Sequence, residues 1–197
     1  MFEDTEKDIF LEKQEYAMIS LLSNKIRVGI IGIGRAAILK AHHFAKLGAY
    51  VLMISKDEYS YAFLHDKHIV IIAVNDEVLR NKIREDCDNF CKIYIDCSDF
   101  KKGLGVVPSQ RETENIILSV NTRNGNPKGS VFLADSLAEK AKTADKYIEF
   151  TTTIRNKVRK NYSIKNQVLE FIFSEDFRFF FEKGQGEQVL KIFFEEV

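Results

Sequence analysis

The chain has 197 residues, 45% of them hydrophobic, and its 29 Lys+Arg balance 29 Asp+Glu to a formal charge of zero. That length suits one domain, or a domain with small appendages, and that apolar share supports a packed core and excludes a disordered polyelectrolyte. Neutrality argues against a general nucleic-acid-binding face, which needs a basic excess to meet phosphates. Taken in chain order, Arg27–Ile31 reads as a short buried strand and Ala36–Leu47 as a helix stopped by Gly48. Tyr50–Ile54 is a second strand, and His68–Val74 is a third, apolar enough to be covered on both faces. Asp76–Phe90 is a helix with Val78, Leu79, Ile83 and Cys87 at helical spacing, and Lys92–Ile95 is a fourth strand. This alternation predicts the α/β class, with a parallel sheet of Rossmann type carrying helices on its faces.

After Asp96 the pattern changes. Asp99–Gly105 reads as a loop, Asn115–Val120 as a strand, and Asn124-Gly125-Asn126-Pro127 as a turn. Val131–Ala144 is a candidate helix, and Tyr147, Ile154 and Val158 begin a separate amphipathic one. Ser163 reads as the N-cap of a further helix, and Ser174 as the cap of a short helix ending at Gly184. Val189, Leu190, Phe193 and Phe194 pattern a last one. Nine of the 16 Phe fall from residue 150 onward, and three in a row cannot share one narrow stripe. A core with a subunit-facing or ligand-facing surface is therefore expected there.

Several function classes are set aside at this point. No apolar run approaches the ~20 residues of a membrane-spanning helix. The acidic N-terminus lacks a signal-peptide pattern, so the cytoplasm is the expected compartment and residues 1–15 carry no assigned role. Cys87, Cys91 and Cys97 match no common zinc spacing and read as reduced thiols. His65-Asp66-Lys67-His68 reads as a solvated loop, and no metal site is expected.

The sharpest motif is Gly32-Ile33-Gly34-Arg35-Ala36-Ala37, which follows a strand and opens a helix. That context is what a G-x-G-x-x-G/A dinucleotide fingerprint requires. Gly32 permits the tight turn, Gly34 lets the backbone approach a pyrophosphate, and Ala37 allows close helix–strand packing. A ribose-binding acid belongs about 20 residues further on. The second strand ends Ile54-Ser55-Lys56-Asp57 with no acid directly at its end, so Asp57 is the candidate ribose partner, placed slightly late. Ser55 and Lys56 leave room for a 2′-phosphate, which keeps NADP open beside NAD. Asp96 follows the fourth strand on the rim where open parallel sheets bind ligands. It reads either as a proton acceptor for hydride chemistry or as a turn or cap residue, with Asp99 as a less direct acceptor.

Together these residues resemble the precorrin-2 dehydrogenase and sirohydrochlorin ferrochelatase family, the N-terminal type of siroheme synthase. The resemblance runs from about Tyr16 to the C-terminus. It rests on the stretch from Tyr16 through the glycine loop to Lys40, on Leu47-Gly48-Ala49-Tyr50-Val51-Leu52-Met53-Ile54-Ser55, and on Ile72-Ala73-Val74-Asn75-Asp76. Further along it rests on Asp96, on Val107-Pro108 leading to Ile117-Leu118-Ser119-Val120-Asn121-Thr122, and on Asp176-Phe177 before Lys183-Gly184. The sequence departs from the family at its triple glycine, which is Gly32-Ile33-Gly34 here, and at the turn Arg123-Asn124-Gly125-Asn126.

The resemblance implies NAD-dependent oxidation of precorrin-2 to sirohydrochlorin, with iron insertion in some members, and a homodimer. It implies that Gly32, Gly34, Arg35 and Ala36 hold the pyrophosphate, that Ser55, Lys56 and Asp57 face the adenosine ribose, and that Asn75 lies near the cofactor. Asp96 is then the general base. A polycarboxylate tetrapyrrole also needs cations, for which Arg111, Arg123 and Lys128 are the candidates. The implied organisation is a Rossmann domain over 1–113, a dimerisation segment over 114–150 and a helical C-terminal unit over 151–197. The alternative is a non-enzymatic protein of the same fold that senses dinucleotide or binds tetrapyrrole.

Overall fold

The structure, a computed structural model, describes residues 16–194, so the acidic segment 1–15 lies outside the described residues. The chain divides between Val106 and Val107 into two compact units. In the first, four strands form one parallel sheet: β1 (Arg27–Ile31), β2 (Tyr50–Ile54), β3 (Ile69–Ile72) and β4 (Ile93–Asp96), in the order β2-β1-β3-β4. Helix α1 (Arg35–Lys46) joins β1 to β2, and α2 (Glu77–Asn89) joins β3 to β4. The two crossovers leave the sheet centre in opposite directions. The right-handed rule for parallel connections then puts their helices on opposite faces.

The continuous apolar runs of β1 and β3 follow from that double cover. Val28, Ile30, Ile31, Val70, Ile71 and Ile72 are all fully buried. Each contributes on the order of 2 kcal/mol by leaving water. One sheet face packs Ile31, Val70, Ile72 and Tyr94 into a cluster with Leu64 and with Ile83 and Cys87 of α2. The in-register pairs Ile31↔Ile54, Ile31↔Ile72 and Ile72↔Asp96 bring the four strand ends level at one rim. The strand order reverses between β1 and β3, and ligands of open α/β sheets bind at the carboxyl ends beside that reversal.

The second unit opens with an antiparallel hairpin of β5 (Ser109–Glu112) and β6 (Ile117–Val120). The Asp145 carboxylate ties its turn by accepting hydrogen bonds from the Asn115 backbone N–H at 3.0 Å, the Asn115 side-chain amide at 2.9 Å and the Thr113 hydroxyl. Asp145 lies on α3 (Pro127–Lys157), a single helix of 31 residues. The two shorter helices expected on either side of residue 145 are therefore one. The intervening Lys, Thr, Ala and Asp interrupt the apolar pattern but not the helix, because none of them breaks backbone bonding as Gly or Pro does. The expected organisation changes accordingly. A cut between residues 150 and 151 falls inside α3, and residues 109–112 pair with β6, so they belong with the second unit and not with the Rossmann sheet.

Three short helices follow, α4 (Lys165–Ile172), α5 (Glu175–Glu182) and α6 (Gly186–Phe193). Ser174 caps α5 by accepting from the Phe177 N–H at 3.2 Å, as expected from the sequence. Ser163 does not cap α4, since its hydroxyl donates to Asn161 Oδ1 at 2.7 Å and Ile164 stands at the cap position. Ile154, Val158, Val168, Ile172, Phe177 and Leu190 form the core of this helical part. The Phe-rich sequence divides as its geometry demands: Phe177 is fully buried, while Phe179 and Phe180 are exposed. Among the described residues, no helix is long and apolar enough to cross a membrane.

Candidate functional site

The glycine loop lies at the rim beside the strand-order reversal. Gly32 has φ +122°, and a Cβ there would stand 2.3 Å from the Ala73 carbonyl oxygen, so only glycine fits. The loop is stitched to both neighbouring strands: the Gly32 N–H donates to the Ile54 carbonyl at 2.9 Å, and the Ala73 N–H donates to the Ile31 carbonyl at 2.9 Å. Gly34 differs. Its backbone is extended at φ −77°, and a Cβ would meet nothing within 4 Å. Its face is open, which is the space a ligand needs to reach the backbone.

Gly34 is also the N-cap of α1. No side chain caps this end, and its first turn holds Arg35 and no acid. The contrast with α2 is direct, because Asp76 caps that helix by accepting from the Val78 and Leu79 N–H groups at 2.9 and 3.1 Å. A helix start with unclaimed amides, a positive dipole end and an arginine attracts an anion. Ala37 is fully buried where α1 meets the sheet, while Arg35 and Ala36 are exposed at the rim. The loop thus fits a pyrophosphate by its open face, its donors and its charge.

Beyond β2 the chain turns through Lys56–Glu58. The Ser55 N–H donates to the Glu58 carboxylate at 2.8 Å. Lys56 and Asp57 between them are exposed. On the other side of the glycine loop, Asn75 follows β3 and is exposed, and its carbonyl accepts from Arg80 Nη1 at 3.0 Å.

Asp96 ends β4 and is buried. One carboxylate oxygen accepts from Arg84 in a close ion pair, and Arg80 Nε lies 3.9 Å away. The other oxygen accepts from the Ser98 and Asp99 N–H groups at 2.8 and 3.0 Å. Arg80 and Arg84 stand one turn apart on α2, so they reach the same carboxylate. Arg80 also holds the Val74 and Asn75 carbonyls. This buried cluster fixes the strand ends of β3 and β4 together. Asp96 is buried, so to accept a proton from a ligand it has to be uncovered. Asp99, half exposed, accepts from the Lys101 N–H at 3.2 Å. The arginine pair was not expected from the sequence. Its only signal there is two arginines four residues apart beside Ile83 and Cys87.

The expected substrate cations all fall in the second unit. Arg111, on β5, donates to Asp135 at 2.6 Å. Arg123 and Lys128 flank the turn from β6 into α3, which is tied by Thr122 accepting from the Asn126 N–H at 2.8 Å and Asn126 accepting from the Gly129 N–H at 2.9 Å. That corner presents both exposed cations on adjoining backbone. The histidines near β3 are engaged locally: His68 Nδ1 accepts from the Arg27 N–H at 2.9 Å, and His65 meets the Phe90 ring edge-on. Among the described residues, no group of three metal-ligating side chains comes together.

The sheet order and the glycine loop are those of the Rossmann class. Residues 19–109 match a family model described as "Putative NAD(P)-binding". The chain also superposes on a solved structure titled "SirC, precorrin-2 dehydrogenase", with a TM-score of 0.65, covering 89% of this chain and 99% of that one. Sequence identity between the two is 16%, so the likeness is one of fold. No curated protein matches the chain by sequence.

Proposed function

We propose that the protein is an NAD-dependent dehydrogenase that oxidises precorrin-2 to sirohydrochlorin. The observation that carries the dinucleotide half of this reading is the open, donor-lined backbone at Gly34. The tetrapyrrole half is supported by the fold shared along nearly the whole length of SirC. Bound NAD supplies a hydride acceptor. Gly32 holds the loop against β3, Gly34 and the first amides of α1 receive the pyrophosphate, and Arg35 adds charge. Ser55, Lys56 and Asp57 lie at the adenosine end of such a site, and Asn75 on the opposite side of the loop.

The oxidation removes a hydride and a proton from the substrate. Asp96 is the proposed proton acceptor, through exchange of its Arg84 contact for the substrate, with the neighbouring Asp99 as the half-exposed carboxylate of the same turn. Arg111, Arg123 and Lys128 are the proposed partners of substrate carboxylates. The proposal includes a homodimer, supported by the apolar side chains that α3 leaves exposed, Phe132 foremost. A second reading, a protein that binds but does not oxidise, is favoured by the burial of Asp96 and its close ion pair with Arg84. Incubation with precorrin-2 and NAD, followed by absorbance for sirohydrochlorin and NADH, separates the two. Turnover that is lost in Asp96→Asn with NADH binding retained supports the enzyme. Dinucleotide binding without any turnover in the wild type supports the second reading.

A further inference from the structure

We propose that the outer edge of β2 is a docking surface for β2 of a second copy of this chain, joined antiparallel about a two-fold axis at Leu52. The contact is independent of the proposed activity and of the interface proposed on α3. β2 ends the sheet, and among the described residues no strand pairs with its outer side. In a parallel strand, successive residues turn their N–H and C=O alternately towards one neighbour and the other. The Tyr50 N–H donates to the Ile26 carbonyl at 3.2 Å, and the Ile54 carbonyl accepts from the Gly32 N–H at 2.9 Å. Tyr50, Leu52 and Ile54 therefore bond towards β1, and Val51 and Met53 direct their backbone groups outward.

The open stretch is closed at both ends. Before it, the Ala49 N–H donates to the Phe44 carbonyl at 3.1 Å. After it, the Ser55 N–H donates to the Glu58 carboxylate at 2.8 Å, and the Ser55 carbonyl accepts from the Glu58 N–H at 3.3 Å. What remains is Val51 and Met53, placed symmetrically about Leu52. Native proteins blunt edges that stay unpaired with charge, proline or a bulge. Tyr50-Val51-Leu52-Met53-Ile54 has no charge and no proline, and it pairs with β1 residue for residue. Tyr50, Leu52 and Met53 are nonetheless exposed.

The open stretch matches itself. In an antiparallel pair centred on Leu52, Val51 of each copy stands opposite Met53 of the other, and the two exchange both backbone hydrogen bonds. Leu52 meets Leu52 across the axis, and Tyr50 of each copy meets Ile54 of the other, which makes a continuous apolar row. The ends match by charge. The Glu58 carboxylate at the end of β2 comes beside the start of the other β2, where exposed Lys46 closes α1. A patch that is complementary to itself about a two-fold axis selects a second copy as its occupant.

The test is the mass of the full-length protein in solution, by sedimentation across a dilution series. The samples are the wild type, Leu52→Lys, Leu52→Glu and an equimolar mixture of the two variants. A charge on an exposed edge is compatible with the fold, and a cooperative melting curve for each variant verifies it. In either variant alone like charges meet at the axis, and the mass is expected to fall by about a factor of two or more. The mixture is expected to regain the wild-type mass, because opposite charges then face each other. This holds with or without an interface on α3, since the two surfaces lie in different units. A variant mass equal to that of the wild type, or a loss in both variants that mixing does not restore, overturns the two-fold contact. Hydrogen exchange identifies another occupant. Protected Val51 and Met53 amides in a protein whose mass Leu52→Lys leaves unchanged are covered from within one chain, which also overturns it.

Discussion

Replacing Gly34 by alanine separates the fold of the glycine loop from its use. The residue sits in extended backbone at φ −77° and ψ 178°, which alanine adopts freely, and the added methyl meets nothing within 4 Å. Two small terms act on stability. Alanine is a poorer helix N-cap than glycine, by roughly 0.5–1 kcal/mol. It also restricts the unfolded chain, which returns about 0.4–1 kcal/mol. They nearly cancel, so the melting temperature should move by no more than about 2–4 °C. Binding responds differently, because the methyl enters the space through which phosphate reaches the α1 amides. Loss of one charge-assisted hydrogen bond costs about 1.5–3 kcal/mol, or roughly 10- to 150-fold in affinity. NADH titration beside a melting curve measures both quantities. Gly32→Ala is the counterpart. It forces a Cβ to 2.3 Å from the Ala73 carbonyl oxygen at a positive φ, and should destabilise by at least about 1–3 kcal/mol. Wild-type NADH affinity in a folded Gly34→Ala protein would refute the placement of the pyrophosphate over this loop.

Two further outcomes follow from the first unit. Asp96→Asn leaves Arg84 buried beside a neutral partner, and removing one member of a buried pair costs about 3 kcal/mol. Urea unfolding should report that loss, and a variant as stable as the wild type would show that the arginine pair does not hold the strand ends. The cysteines should react in order of exposure: Cys91 rapidly, half-buried Cys97 slowly, and Cys87 only on unfolding. Burial pushes the Cys87 thiol from 9.0 up to about 12. Its contribution to stability is therefore complete below pH 9 and fades as the pH rises towards 12. Three thiols labelling at one rate in native buffer would contradict the packing of α2 on the sheet.

The Rossmann half was legible because each of its elements carries a strong local signal. β1 and β2 are bounded as their residues indicate, and Gly48, with φ +85°, ends α1 as its position implies. The second half was less legible for a physical reason. In α3 the residues between the two apolar stretches are good or neutral helix formers, so periodicity weakens where the backbone continues unbroken. Strand β5 is Ser-Gln-Arg-Glu, which has no apolar alternation. It pairs because β6 offers a partner and because Asp145, far along the chain, fixes the connecting turn.

The candidate site shows the same division between what is local and what is not. The glycine loop announces itself through spacing, since both glycines act on backbone only a few residues away or on the adjacent strand. The Asp96–Arg84 pair depends on α2 packing against β4, and no spacing rule joins residues 84 and 96.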